Sequence, residues 1–353
     1  MGGATQAPPP GVAALAAAVA EGNRRALARA ITLVESSRAD HRDEADHLLD
    51  ALMPRTGGAV RVGISGAPGV GKSTFIEAFG LFLVGLGRRP AVLAIDPSSP
   101  LTGGSILGDK TRMERLAHDG MGGRELRTRA GARFSASAGP AQAGEPDARP
   151  IPFAVDGEGG LLCEGAGFDV VGVETVGVGQ SETAVADMVD LLVLLLPPGG
   201  GDELQGIKKG IVELADIVVV NKADGDLAAA AGRAAAEYRA AIHMLRPARA
   251  GWTPPVLQVS ALHERGLDAV WAEIGRMRET LGEARLRAHR ARQAVAWMWR
   301  EIEGGLRAEL LADRRTSPIL PGLEAGVAEG RLSPVAAARQ VLGAFLGRRP
   351  PEA

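Results

Sequence analysis

Nine consecutive residues constrain this chain more than any others: Gly66, Ala67, Pro68, Gly69, Val70, Gly71, Lys72, Ser73 and Thr74. They fit the phosphate-loop pattern, in which a glycine and four further residues precede Gly-Lys-Ser/Thr. The flanks are the ones that pattern needs. Residues 59–65 form an apolar run that reads as a strand, and residues 75–83 read as a helix. Glycines let the backbone curl so that several N–H groups converge on an anion, and the helix N-terminus adds positive potential. Lys72 is placed to reach β- and γ-phosphates, and Ser73 to offer its hydroxyl to Mg²⁺.

The rest of the chain supplies the scaffold. Short apolar runs at 59–65, 91–95, 168–173, 189–196, 216–220 and 255–259 alternate with helical patterns. They are rich in Val, Ile and Leu without polar alternation, as strands buried on both faces of a parallel sheet are. That alternation predicts a doubly wound α/β fold with its ligand at the C-terminal ends of the strands. Residues 11–53 read as helical, with Leu27, Ala30, Ile31 and Val34 at helical spacing and Asp40 capping a second helix that runs to Met53. From about Arg265 the pattern is helical again: one long charged segment at 284–312, then shorter helices at 319–329 and 332–346. Trp297 and Trp299 in the long segment read as packing or interface residues rather than a base-stacking platform. The division expected is a helical segment 1–56, a nucleotide-binding domain 57–264 and a helical region 265–353.

Composition excludes several classes. A formal net charge of −2 over 353 residues gives no global basic field for nucleic acid or an anionic membrane. The single cysteine, Cys163, leaves no disulfide and no cysteine-based metal cluster, and reads as a small buried apolar residue. Residues 1–10 lack a basic segment followed by an apolar core, and the longest apolar run, 191–196, is too short to span a bilayer. A soluble, cytoplasmic protein is expected.

The base is addressed by Asn221, Lys222 and Asp224, at the end of the apolar run 217–220. A carboxylate there accepts from the guanine N1–H and exocyclic amine, a pair that adenine does not offer. Ser260, Ala261 and Leu262, after the next strand, are placed to support the base from its other side. Asp96 and Glu174 end the second and third predicted strands, where carboxylates face a γ-phosphate and its cation. Gly177 is placed to give a backbone N–H to the γ-phosphate. The glycines at 199–201 open a charged loop that reads as mobile.

Taken together, these motifs resemble the MeaB/MMAA (ArgK-type) GTPases. The resemblance rests on residues 66–74, Ile-Asp-Pro-Ser-Ser at 95–99, Gly-Asp-Lys-Thr-Arg-Met at 108–113, Glu-Thr-Val-Gly-Val-Gly-Gln-Ser-Glu at 174–182, Gly-Gly-Asp-Glu-Leu-Gln-Gly-Ile-Lys at 200–208, and the helical stretch 27–35. It covers about residues 20–119 and 161–347. The resemblance implies a P-loop NTPase with a SIMIBI-like G domain, a mostly parallel sheet and N- and C-terminal helical extensions. It implies a homodimer that binds GTP or GDP with Mg²⁺. Its partner would be methylmalonyl-CoA mutase or a related adenosylcobalamin-dependent mutase, whose cobalamin loading it gates and which it protects or reactivates. Cobalamin enters only through that partner. By motif match Ser73, Asp96, Asp109 and Glu174 surround the cation and γ-phosphate. Lys72, Asp96, Glu174, Asp202 and Lys208 form the catalytic set, with Asp202 and Lys208 in a switch that couples hydrolysis to the mutase. Two alternatives stay open: a GTP-binding switch with little turnover, and an ATP-dependent arginine/ornithine transport kinase.

Residues 120–160 depart from the family pattern. They are rich in Ala, Gly, Pro and Arg and have almost no apolar periodicity. Their composition fits either a diverged, disordered switch insertion or a stretch between two compensating frameshifts in a high-GC gene.

Overall fold

The computed structural model describes residues 8–36, 38–95, 126–127, 133–134, 151–153, 157–175, 185–199, 209–244 and 249–347. Its contacts group the chain into two compact units, Met1–His289 and Arg290–Ala353.

The first unit is built on a parallel sheet. In spatial order its strands are β5 (Ile151–Phe153), β2 (Pro90–Ile95), β6 (Val170–Thr175), β1 (Val60–Gly66), β7 (Leu191–Leu196), β8 (Ile217–Val220) and β9 (Val256–Gln258). Every neighbouring pair is parallel. The short strands β3 (Leu126–Arg127) and β4 (Arg133–Phe134) pair antiparallel with each other.

The strands look uniformly apolar in sequence, yet they sort their side chains with a period of two. Leu191, Val193 and Leu195 of β7 join one core, while Leu194 and Leu196 join another. Ile217 and Val219 of β8 face the first of these cores, and Val218 and Val220 the second. Alternate side chains leave a strand on opposite faces, so a strand sandwiched between helices must be apolar at every position.

On one face of β1, α4 (Lys72–Gly85) and the first turns of α8 (Leu267–Ala312) supply Phe75, Phe79, Leu83, Leu267, Val270 and Ile274. On the opposite face α1 (Pro10–Ala20), α2 (Arg24–Val34), α3 (Ala39–Leu52) and α5 (Gly157–Gly165) pack over β2, β6 and β7. Cys163 of α5 is fully buried there, and burial pushes its thiol up, as a packing residue requires. The short α6 (Lys209–Leu214) precedes β8. Helix α7 (Ala228–Met244) closes the far end of the sheet through Ala231, Ala235, Tyr238 and Ile242.

Three readings change. Residues 11–53 form three helices where a second helix from Asp40 was expected. Gly22 (φ 76°) breaks the first helix, and the Asn23 side chain caps the next by accepting from the N–H groups of Arg25 and Ala26 at 3.0 and 3.1 Å. Arg38 stands at the cap of α3, and Asp40 lies in its first turn. The Arg38 guanidinium beside Asp40 holds that carboxyl at about 2. Second, the helical pattern expected from about Arg265 starts at Leu267 and is interrupted at Gly282, which sits at φ 71° and ψ 156°, two residues before the long segment expected at 284–312. That backbone state is essentially reserved for glycine and is not helical, so two helices meet at a kink there. Third, Ile151–Phe153, inside the stretch with no periodicity, forms the edge strand beside β2. Three residues are too few to show a period.

At the end of the sheet opposite the phosphate loop, buried ions tie the strands together. Glu164 accepts from Arg61 Nε at 2.5 Å and from the Gly57 N–H. Asp190 accepts from Arg61 N at 2.9 Å. Asp216, 2% exposed, accepts from Leu192 N at 2.9 Å and from Arg249 Nε at 2.7 Å. Arg249 also donates to the Asp190 carbonyl at 2.6 Å, and Trp252 Nε1 to the Asp216 carbonyl at 2.8 Å. Burial pushes the Asp216 carboxyl up, against the pull of Arg249. Removing one partner of a buried pair leaves an uncompensated charge, so Arg249→Met is expected to destabilise the protein by about 3–5 kcal/mol at neutral pH. A carboxyl with a raised folded pKa binds its proton more readily folded than unfolded. Stability linked to it therefore rises as pH falls through the folded value. The Arg249→Met deficit, read from urea unfolding, is expected to shrink on acidification.

The second unit comprises the distal part of α8, α9 (Leu320–Ala328) and α10 (Pro334–Phe345). Ser333 caps α10 by accepting from Ala336 N at 3.2 Å, and Ala337 and Val341 are its buried positions. Asp313 pairs with Arg315, which holds that carboxyl at about 2. Val295, Met298, Trp299, Ile302 and Leu306 are exposed. Their spacing places them along one side of α8.

Candidate functional site

β1 ends on Gly66, and the chain turns through the glycine loop into α4. Gly69 (φ 78°) and Gly71 (φ 94°) make the turn in the left-handed region that L side chains avoid. Val70 is the loop's apolar plug into the core, and Gly71 stands at the cap of α4. Ser73 and Thr74 lie in the first turn of that helix, where N–H groups lack intrahelical partners. Ala67 is half-buried and Pro68 exposed. Lys72 folds over the loop, donating to the carbonyl of Gly66 at 2.7 Å and of Ala67 at 3.4 Å.

The two predicted base loops meet this turn. Asn221 is buried. Its carboxamide donates to the Val70 carbonyl at 3.0 Å and accepts from Ala261 N at 3.2 Å. One side chain thus joins the phosphate loop, the end of β8 and the loop after β9. The contact is tight: a Cβ on Gly71 would lie 2.8 Å from Asn221 Nδ2. Lys222 takes a left-handed conformation (φ 59°) and donates to the Gly69 carbonyl at 2.7 Å. Asp224, half-buried, is held by the Ser260 hydroxyl, which also accepts from His263 N at 3.2 Å. Leu262, in the same loop, is 68% exposed.

The loop after β9 carries a support that sequence reading did not single out. Ser260 and Arg265 exchange backbone hydrogen bonds at 3.1 and 3.0 Å. Gly266 (φ 78°) closes the loop so tightly that a Cβ there would lie 2.6 Å from the Gln258 carbonyl. The signal was a glycine six residues after Ser260, too common a feature to stand out.

Glu174 lies next to last in β6, 6% exposed, opposite Ile64 of β1 and Ala94 of β2. Ser73 and Glu174 offer a hydroxyl and a carboxylate, the hard oxygen donors that Mg²⁺ accepts. Asp96, Asp109, Gly177, Asp202 and Lys208 lie outside the described residues. Among the described residues no helix is long and apolar enough to cross a membrane.

A phosphate loop clamped by an Asn-Lys-x-Asp loop and a Ser-Ala-Leu loop is the layout of a guanine-nucleotide site. The profile of the methylmalonyl Co-A mutase-associated GTPase MeaB family matches residues 27–315. The chain belongs to that family. Among its relatives, a Caulobacter vibrioides protein named as a putative GTPase is 54% identical over 92% of this chain and 94% of its own. GTPase ArgK of Escherichia coli is 44% identical over 91% and 92%. The mitochondrial methylmalonic aciduria type A homolog of Mus musculus is 43% identical over 93% of this chain and 78% of its own. A solved structure described as a LAO/AO transport system kinase superposes with a TM-score of 0.67 at 35% identity, covering 95% of this chain and 97% of that one. The MeaB family and its P-loop fold make this protein a GTPase, and they meet the expectation from the motifs.

Proposed function

We propose that this GTPase is a nucleotide-gated chaperone for methylmalonyl-CoA mutase or a related adenosylcobalamin-dependent mutase. It would control cobalamin loading and protect or reactivate the enzyme. The match to a mutase-associated GTPase family across residues 27–315 carries the reading. In it, water attacks the γ-phosphate in line with the leaving oxygen. Lys72 neutralises phosphate charge, and the loop N–H groups of 66–74 hold the phosphates. Ser73 and Glu174, with Asp96 and Asp109 by motif match, would hold Mg²⁺, which when bound would offset charge on the phosphate oxygens. Asp224 reads the guanine edge, and Lys222 and Leu262 flank the base. Gly177 senses the γ-phosphate, and Asp202 and Lys208 relay its loss to the mutase. Cobalamin is held by the partner. The exposed apolar row from Val295 to Leu306 supports a homodimer formed through the C-terminal helical region. On this reading the protein would act in the cytoplasm.

The test is GTP hydrolysis by the full chain with and without the mutase. Slow turnover that rises on adding the mutase is expected. Turnover indifferent to the mutase would refute the chaperone role, and binding without turnover in both cases would favour a switch that acts by holding its partner. The kinase reading rests on the name of the solved relative. It requires ATP to outcompete GTP, against the base contacts assigned to Asp224.

A further inference from the structure

We propose that Thr175 is a positioning residue for GTP hydrolysis and acts through Ser65. The hydroxyls of the two residues meet at the seam between β1 and β6, Thr175 Oγ1 donating to Ser65 Oγ at 3.3 Å. Both residues are buried, at 0% and 1% exposure.

Their place in the sheet gives the contact its meaning. The pairing of β1 with β6 runs from Val60↔Val170 to Ile64↔Glu174 and stops there. On their outer sides the two strands run on, β1 pairing with β7 to Gly66↔Leu195 and β6 with β2 to Ile95↔Thr175. Among the described residues, Ser65 and Thr175 lie one step beyond the last of these β1–β6 pairs, where the strands reach the nucleotide end. The side-chain bond bridges the seam there. Ser65 immediately precedes Gly66, whose carbonyl takes Lys72 Nζ at 2.7 Å. Thr175 immediately follows Glu174. One hydroxyl pair thus ties the strand whose last carbonyl anchors the phosphate lysine to the strand that carries the carboxylate.

Stability alone does not ask for this pair. Two buried hydroxyls must satisfy each other to offset their desolvation, and an apolar pair of the same shape is about as stable or more so. What hydroxyls add is a directional tie with a fixed spacing. The inference rests on the reading above, in which Lys72 and Glu174 flank the reacting phosphate.

Single-turnover GTP hydrolysis and GDP binding by the full chain, with Thr175→Val, Ser65→Ala, the double variant, Thr175→Ser and Lys72→Ala, test it. Thr175→Val is expected to lower kcat about tenfold, the rate equivalent of one hydrogen bond, with KM and GDP affinity unchanged. Ser65→Ala should do the same and Thr175→Ser should restore the rate. The double variant should melt no lower than the native protein yet hydrolyse no more slowly than the slower single, because both changes cut the same tie. Native turnover in the double variant overturns the proposal. So does a rate loss in the double variant matched by loss of GDP affinity or of melting temperature, which would mark a purely structural pair. Lys72→Ala separates the two levels. If it abolishes hydrolysis while Thr175→Val does not affect it, only the positioning role falls. If Lys72→Ala hydrolyses normally, the site reading and the positioning role fall together.

Discussion

Replacing Asp224 by Asn is expected to weaken GTP binding by about 10⁴-fold and to create affinity for xanthosine nucleotides. The native carboxylate is acceptor-only, and it is oriented by the Ser260 hydroxyl. Guanine presents two donors to it, N1–H and the exocyclic amine. An Asn there turns one acceptor into a donor that faces the amine, so one contact is lost and one becomes repulsive. Xanthine carries a carbonyl in place of the amine and matches the new pattern. The fold should be indifferent, because Asn still accepts from Ser260. Titration with fluorescent GTP and XTP analogues checks both arms, and unchanged GTP affinity would refute the base assignment.

Gly66→Ala is expected to cost about 3 kcal/mol or more and to abolish nucleotide binding in whatever fraction folds. The added Cβ would lie 2.5 Å from the Leu195 carbonyl and 3.1 Å from both Leu195 Cβ and Val70 Cγ1. The nearest obstacle is backbone in a central strand, so it has little room to move. Relief would require shifting β1 away from β7, or Gly66 away from the φ of 156° at which the chain leaves the strand. Either movement displaces the carbonyl that anchors Lys72. Thermal unfolding should show a fall of roughly 5–10 °C. Gly69→Ala makes the contrast, because a Cβ there meets no atom within 4 Å and only the positive φ opposes it. It should cost about 1 kcal/mol.

Much of the site was legible because its chemistry is local. The glycine loop needs Gly at fixed offsets, Lys and Ser at its end, and a strand and a helix on either side, all within residues 59–83. The six predicted runs became β1, β2, β6, β7, β8 and β9 to within two residues at each end, since burial on both faces demands unbroken Val, Ile and Leu. The break at Gly22 and Asn23 was missed because the apolar spacing of α1 and α2 carries across it. The kink at Gly282 falls two residues before the long segment expected at 284–312, so the apolar pattern located that helix without naming the glycine.

The sequence by itself determined that the chain is an α/β nucleotide-binding protein, and it nominated the residues for phosphate and base. Those properties follow from short patterns whose geometry is set by neighbours along the chain. Only the tertiary structure decided what joins them. Asn221 spends its carboxamide on Val70 and Ala261, residues 151 and 40 positions away. Thr175 meets Ser65 across 110 positions, and Arg61 meets Glu164 across 103. Such pairings depend on strand order and register, which the packing of helices on both faces of the sheet fixes, and no local pattern encodes them.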